Sequence, residues 1–331
     1  MKRPLVIIAG PTAVGKTALS VRLAKNVGGE IISADSMQVY RRMDIGTAKV
    51  TPEETEGVPH HLIDILEPWE PFNVYEFRAR VLSAMEEIYA RGRLPVICGG
   101  TGFYIQSVLY DIAFGDDAGS PEVRSRLEKE MAESGPEAMH ARLAAVDPES
   151  AAAIHANNRK RVVRALEFYE LTGKKISEHN AEQRERTSPY DFLYYVLTMD
   201  RESLYARINY RVDLMVRDGL LDEVRALRDE GVPGGCTAMQ GLGYRQVYDY
   251  LDGLCTFDEA VERIKMETRR FAKRQLTWFR REKDAIWVKL EDYGGDRRKI
   301  LEKMTEDTKA LLLRSPAVPF DNTGEFDRNG L

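Results

Sequence analysis

No apolar run in this chain of 331 residues approaches the roughly 20 residues that a membrane-crossing helix requires. A membrane-embedded protein is therefore not expected, nor is a membrane partner. The opening "PLVIIAG" is too short for the apolar part of a secretion signal and runs straight into glycines, so the cytoplasm is the expected location. Cysteine is scarce: Cys98, Cys236 and Cys255 are odd in number and lack ligand-like or redox-like spacing. They read as reduced thiols, not as a disulfide framework or a zinc site. An excess of positive charge is also missing, since the formal net charge is −5. That excludes a protein coated in basic residues, but not a local basic stripe along which a polyanion could lie. There is no internal repeat, and no NKxD stretch of the kind a guanine-reading switch protein would carry.

What is present is ordinary globular material, 43% apolar and 31% charged. The length suits one large core or a core with an appended domain. "LVIIAG" (5–10) is a continuous apolar run of the kind found in strands buried on both faces. A helix is predicted over 15–27 and a second strand over "GEIISADS" (29–36). Another helix is predicted over 76–91, with Phe77, Val81, Met85 and Ile88 on one face, and a third strand lies in "LPVICGGTG" (94–102). Strand–helix alternation of this kind implies a parallel sheet. From about 113 to 190 the apolar runs thin out and helices rich in Glu, Arg and Ala take over, including 121–132 and 158–172. "FLYYVLTM" (192–199) returns to strand, and helices are predicted at 203–219, 220–230, 243–252, 256–282 and 296–313. The expected organisation is an α/β core formed by 1–112 and 191–315, a helical insertion over 113–190, and a loose tail over 316–331.

Gly10, Pro11, Thr12, Ala13, Val14, Gly15, Lys16 and Thr17 match the phosphate loop GxxxxGK[ST] in spacing, between a predicted strand and a predicted helix. The glycines let backbone N–H groups converge on phosphate oxygens, Lys16 adds a point charge, and Thr17 can hold Mg2+. The core is therefore expected to be P-loop NTPase-like. Most such loops bind a nucleotide such as ATP, and its terminal phosphate is hydrolysed or transferred. In an open parallel sheet, ligands sit beyond the carboxyl ends of the strands. Asp35 and Ser36 reach that edge from "ADSMQVY", and Thr101 reaches it from "GGTGFY". Taken alone, Asp35 could cap a helix or ligate magnesium, and Thr101 could be an N-cap. Arg211 falls within the helical stripe of Leu204, Ile208 and Met215. A buried arginine needs an anion, either a structural carboxylate or a bound diphosphate.

Two basic runs stand out besides. "RIKMETRRFAKRQLTWFRREK" (263–283) holds nine Lys/Arg against two Glu, and "RKRVVR" spans 159–164. A charge run is often only a solvated face, but one so nearly single-signed suits a polyanion. His60 and His61 are adjacent, with no third ligand evident, and read as structural.

The stretches "GPTAVGKT", "SADSMQVY", "DIGTAK", "GVPHHLID", "GGTGFY", "RKRVVRALE", "RVDLM", "GLGYRQ" and "KRQLTWFR" run in this order from residue 10 to about 280. In this combination the chain resembles the tRNA dimethylallyltransferases, also called tRNA isopentenyltransferases, over most of its length. The zinc-finger extension of some eukaryotic members is not seen, which implies the bacterial type. The resemblance implies transfer of a dimethylallyl group from dimethylallyl diphosphate to N6 of the adenine just 3′ of the anticodon, with release of diphosphate. It implies that the loop from Gly10 to Thr17 binds that diphosphate with Mg2+, and that Lys16 and Arg211 contact it. Asp35 matches the family's general base and Thr101 its adenine contact.

The resemblance also implies a set of residues facing tRNA. Asp35, Ser36, Met37, Gln38 and Thr101 belong to it in the core. Lys160, Arg161, Val162, Val163 and Arg164 belong to it in the insertion, with Arg124 as a candidate. Gly241, Gly243, Tyr244 and Arg245 come from "GLGYRQ", and Lys273, Arg274, Gln275, Trp278 and Arg280 from "KRQLTWFR". The implied partners are a tRNA anticodon stem-loop and dimethylallyl diphosphate, with the enzyme acting as a monomer.

Elementary chemistry agrees with that implication. An adenine amine is a poor nucleophile, and a carboxylate general base near its N–H would help by roughly 10²–10⁴. Diphosphate can leave unprotonated if cations balance its growing charge. The target base must be flipped out of its stack, which costs a few kcal/mol, and basic contacts to phosphates offset that cost. A prenyltransferase acting on free AMP or ATP is the alternative, and it would not need the two basic runs. A small-molecule kinase would leave Thr101 and the basic helix unexplained.

Overall fold

The first apolar run becomes β1 (Arg3–Ala9), whose residues from Pro4 onward are all buried, so both faces of the strand are covered. A computed structural model of the chain describes residues 2–111, 120–184 and 187–315. The tail expected over 316–331 and the expected start of the insertion near 113 lie outside these residues. After β1 the chain forms α1 (Lys16–Val27), β2 (Gly29–Ala34), the short α2 (Pro52–Thr55), β3 (His60–His61), α3 (Val74–Ala90), β4 (Leu94–Gly99) and α4 (Gly102–Leu109). A helical stretch follows: α5 (Pro121–Val146), α6 (Pro148–Ala153), α7 (Arg159–Thr172) and α8 (Ile176–Arg184). The chain then returns through β5 (Tyr190–Thr198), α9 (Arg201–Arg217), α10 (Leu220–Asp229), α11 (Tyr244–Leu251), α12 (Phe257–Phe279), β6 (Ala285–Lys289) and α13 (Arg297–Arg314).

The six strands form one parallel sheet in the order β3-β2-β4-β1-β5-β6. Ile7 of β1 lies opposite Ile97 of β4 on one side and Tyr194 of β5 on the other, which places β1 at the centre. Val6 and Ile8 pack with Leu23 of α1 and with Met304 and Leu311 of α13 in a single apolar cluster. On α3 the predicted stripe of Phe77, Val81, Met85 and Ile88 is buried. This is a P-loop NTPase-like sheet flanked by helices, and its ligand edge is the one where β1, β2 and β4 end.

Packing divides the chain into two compact units, Met1–Val108 with Pro189–Leu331, and Leu109–Ser188. The second unit is helical and has its own core, built from Leu127, Met131, Leu143, Val162, Val163 and Leu166 among others. α5 runs well past the helix predicted over 121–132, but it is broken at Gly135 (φ 83°), ahead of Pro136. Among the described residues, no helix is long and apolar enough to cross a membrane.

Two strands carry no signal in the sequence pattern. β3 is only two residues long, too short to show any period. β6 offers five residues straight after a charged turn, and Ile286 and Trp287 remain exposed on it. Both are sheet edges, and they are recruited by pairing with β2 and β5, not by a strong pattern of their own.

Candidate active site

β1 delivers the phosphate loop at the centre of the ligand edge. Gly15 has φ 99° and caps α1, a left-handed conformation that glycine adopts without strain. Lys16 Nζ donates to the carbonyls of Gly10 (3.0 Å) and Pro11 (2.8 Å). Burial brings the Lys16 pKa down from 10.5 to about 8, and the neighbouring Arg211 charge adds to this, while Cys98 and Asp35 act in the opposite direction. A half-buried ammonium without a carboxylate partner is primed to take up an anion.

Three guanidinium groups lie along the same loop. Arg211 Nη1 is 3.4 Å from Thr12 Oγ1, Arg207 Nε donates to the Ala13 carbonyl at 2.9 Å, and Arg297 packs against Gly15. Among the described residues none of the three has an ion-pair partner. The stripe expected to contain Arg211 is realised as Leu204, Ile208 and Val212, with Met215 only half-buried. Arg211 itself is half-buried, and burial lowers its pKa, helped by Arg207 and opposed by Glu54 and Asp35. Sequence reasoning misses Arg207 and Arg297. Arg207 lies four residues before Arg211 on the same helix, a spacing that could have pointed to it. Arg297 carries no such signal.

β2 ends at Ala34 and hands over to Asp35. Its Oδ1 accepts the Met37 N–H at 2.9 Å, so Asp35 closes a local turn and caps no helix. Asp35 is half-buried, and its charge is felt at Lys16, Arg211 and Cys98. β4 ends at Gly99, and the Thr101 N–H reaches back to the Ala34 carbonyl at 3.3 Å, tying the two loops together. The Thr101 hydroxyl has no hydrogen-bond partner among the described residues. The loop, Asp35 and Thr101 thus share one sheet edge.

The glycines of "GGTGFY" have a use that their sequence context does not reveal. A Cβ on Gly100 would lie 2.2 Å from Gln275 Nε2, and one on Gly102 would lie 2.1 Å from Trp278 Cδ1. They admit helix α12. Gln275, expected to face tRNA, is instead buried and joins two loops: its Oε1 accepts the Thr12 N–H (3.0 Å) and its Nε2 donates to the Gly100 carbonyl (2.9 Å). Trp278, also expected at the tRNA surface, is half-buried against Gly102, in edge-to-face contact with Phe103.

Other expected tRNA-facing residues are likewise taken up internally. The Gln38 amide nitrogen donates to the Thr47 and Ala48 carbonyls, and its oxygen accepts from Ser33. Gly241, Gly243 and Tyr244 are buried. Tyr244 Oη donates to Glu223 at 2.6 Å, and the same carboxylate accepts the N–H groups of Asp44 (2.7 Å), Ile45 (2.7 Å) and Gly46 (3.0 Å). "DIGTAK" and "GLGYRQ" are therefore two walls around one carboxylate, a residue that no motif flags. Arg245 is paired with Glu267. In the helical unit, Val162 and Val163 belong to the core because a helix that packs on one face must bury some of any continuous run. Arg164 and Arg124 both bond to the fully buried Glu167, at 3.0 and 2.7 Å, where they offset its charge. Lys160 and Arg161 are exposed as expected.

Exposed cations remain on α12 and just beyond it. Arg270, Lys273, Arg274 and Arg280 are exposed and make no ion pair among the described residues, whereas Arg263 is paired with Asp249 and Lys265 with Asp213. Ser36 and Met37 are half-buried beside Asp35. His60 and His61 are structural, as expected: His60 Nδ1 bonds the Val58 carbonyl and His61 Nε2 bonds Glu30.

Residues 38–282 match the family model described as IPP transferase, and residues 3–64 match one described as isopentenyl transferase. A tRNA dimethylallyltransferase of Lachnoclostridium phytofermentans is 53% identical over 312 residues, covering 94% of this chain and 100% of that protein. The crystal structure of the full-length tRNA isopentenylpyrophosphate transferase of Bacillus halodurans aligns with a TM-score of 0.72 and 46% identity, over 96% of this chain and 98% of that one. A eukaryotic dimethylallyltransferase captured acting on tRNA aligns with a TM-score of 0.76 and 31% identity, over 87% of this chain and 74% of that one.

Proposed function

The chain belongs to the IPP transferase family, and from that premise we propose that it transfers a dimethylallyl group from dimethylallyl diphosphate to N6 of the adenine 3′-adjacent to the anticodon of tRNA. The observation that carries this reading is the convergence of three groups at one sheet edge. These are a cationic phosphate loop, the anchored Asp35 carboxylate and the unpartnered Thr101 hydroxyl.

Asp35 takes the proton from N6 as that nitrogen bonds to the allylic carbon, and the carbon–oxygen bond to diphosphate breaks. Thr101 orients the adenine. Lys16 and Arg211 hold the departing diphosphate, their positive charge matched to negative charge that grows along the reaction. Thr17, on the first turn of α1, is exposed, and its hydroxyl makes no hydrogen bond among the described residues. That leaves a hard oxygen donor free beside the cradle. Such a donor fits Mg2+, which keeps several waters and shares oxygens with a phosphate substrate. When bound, Mg2+ would supply charge neutralisation to the leaving diphosphate.

The exposed Arg270, Lys273, Arg274 and Arg280, together with Lys160 and Arg161, are suited to contact phosphates of the anticodon stem-loop. The enzyme works as a monomer in the cytoplasm, where its tRNA substrate is found. Labelled dimethylallyl diphosphate, incubated with the protein and either unmodified tRNA or AMP, tests the reading. Label should enter tRNA; label in AMP alone would overturn it.

A further inference from the structure

Cations placed side by side without a counter-charge, two of the three here half-buried and Arg207 exposed, are unfavourable unless an anion is meant to arrive. The row formed by Arg211, Arg207 and Arg297 against Thr12, Ala13 and Gly15 has this character. Arg211 already has a part in the reading above. We infer that Arg297, supplied by the first turn of α13, is a further donor-binding residue that holds the same diphosphate from the Gly15 side. This rests on the proposed use of the loop for diphosphate.

Four observations converge on Arg297. A Cβ on Gly15 would lie 2.5 Å from its Nη2 and 2.9 Å from both its Cζ and its Nη1, so the guanidinium fills the space beside the loop that only a glycine leaves open. The nearest carboxylate in sequence, Asp296, is engaged elsewhere: it caps the Arg298 N–H at 2.9 Å and pairs with Arg298 Nε at 3.4 Å. Arg297 is half-buried, and burial, together with the charge of Arg207, disfavours its cationic form in the ligand-free protein. Its helix is firmly held, since Ile300, Met304, Leu311 and Leu312 are buried and Asn26 of α1 donates to Thr305 at 3.2 Å. A planar fork on a rigid support is the arrangement that recognises phosphate oxygens in pairs.

A merely structural arginine and a ligand-binding one respond differently to substitution. With Arg297→Gln, inorganic pyrophosphate measured by calorimetry in the presence of Mg2+ should bind about 10- to 100-fold more weakly, as expected when one charge-assisted hydrogen bond is removed. KM for the prenyl donor should rise with little change in kcat, tRNA binding should stay within twofold, and Arg297→Lys should recover part of the loss. The ligand-free variant should melt no lower than the unaltered protein, because a like-charge neighbour of Arg207 has been removed. If Arg297→Gln binds pyrophosphate within twofold of the unaltered protein while Lys16→Ala does not bind it, the role of Arg297 is overturned and the diphosphate reading stands. A drop of several degrees in the melting temperature of the ligand-free variant would instead make Arg297 a packing support and also overturn the inference. Failure of the unaltered protein to bind pyrophosphate would overturn both.

Discussion

Replacing Asp35 by Asn removes a negative charge and a proton acceptor while leaving in place the bond that positions the side chain. Oδ1 accepts the Met37 N–H at 2.9 Å, and an amide oxygen can accept it equally well. No helix begins at this point, so no cap is lost, and the stability change should stay below about 1 kcal/mol. The chemical step should suffer far more. A positioned general base is worth roughly 10²–10⁴ in rate, or about 3–5 kcal/mol of barrier. A smaller effect on donor binding follows from electrostatics, because Asp35 favours the protonated form of Lys16. Without it the Lys16 pKa falls further below about 8, which should weaken donor binding only a few-fold near neutral pH. Single-turnover transfer of labelled donor to tRNA, donor binding and thermal unfolding, all on the same variant, separate these effects. Turnover within a few-fold of the unaltered enzyme would remove Asp35 from the mechanism. A loss confined to diphosphate affinity and restored by excess Mg2+ would make it a metal ligand instead.

Lys16 predicts a pH dependence whose sign is fixed. Its pKa in the folded, ligand-free protein is about 8 against an ordinary 10.5, so its burial opposes folding below about pH 8 and that penalty is relieved as pH rises towards 10.5. Diphosphate favours the ammonium, so pyrophosphate affinity should fall by up to about tenfold per pH unit above 8, and a flat profile in a pH-titrated binding assay would contradict this. Neutralising Arg270, Lys273 and Arg274 together should weaken tRNA binding and lower the slope of log K against log[salt] by about 0.7–0.9 for each phosphate no longer neutralised; an unchanged slope would mean that the stripe is only solvated. Glu223→Gln turns one of two oxygens that accept three backbone N–H groups and the Tyr244 hydroxyl into a donor. It should cost about 2–4 kcal/mol in denaturant unfolding and lower transfer by displacing the neighbouring loop, whereas unchanged stability would show that those N–H groups are satisfied by water.

Local pattern alone determined the central strand, the phosphate loop behind it, the parallel α/β order and the helical character of the second unit. Each depends on spacing within a dozen residues, where a period of two or 3.6 and a glycine that must turn are directly readable. The same holds for Lys16, Asp35 and Thr101, which follow strands and so must stand at the ligand edge. Which way a motif faces was not readable in this manner. Gln38, Tyr244 and Gln275 sit in stretches that looked like tRNA contacts, yet each is consumed inside the protein: by the Thr47 and Ala48 carbonyls, by Glu223, and by Thr12 and Gly100. Their partners lie on other elements, and only the packing of α12 on the β4 loop, and of α10 and α11 around residues 44–46, decides that they meet. The basic runs divide for the same reason, into ion-paired Arg263 and Lys265 and exposed Arg270 and Lys273 on one helix. Arg297 is the clearest case, since nothing near it in the chain marks it, and it reaches Gly15 only because α13 packs beside α1 on the sheet. A charge is solvated or held according to what the rest of the fold brings within about 4 Å of it, and that distance is a property of tertiary structure.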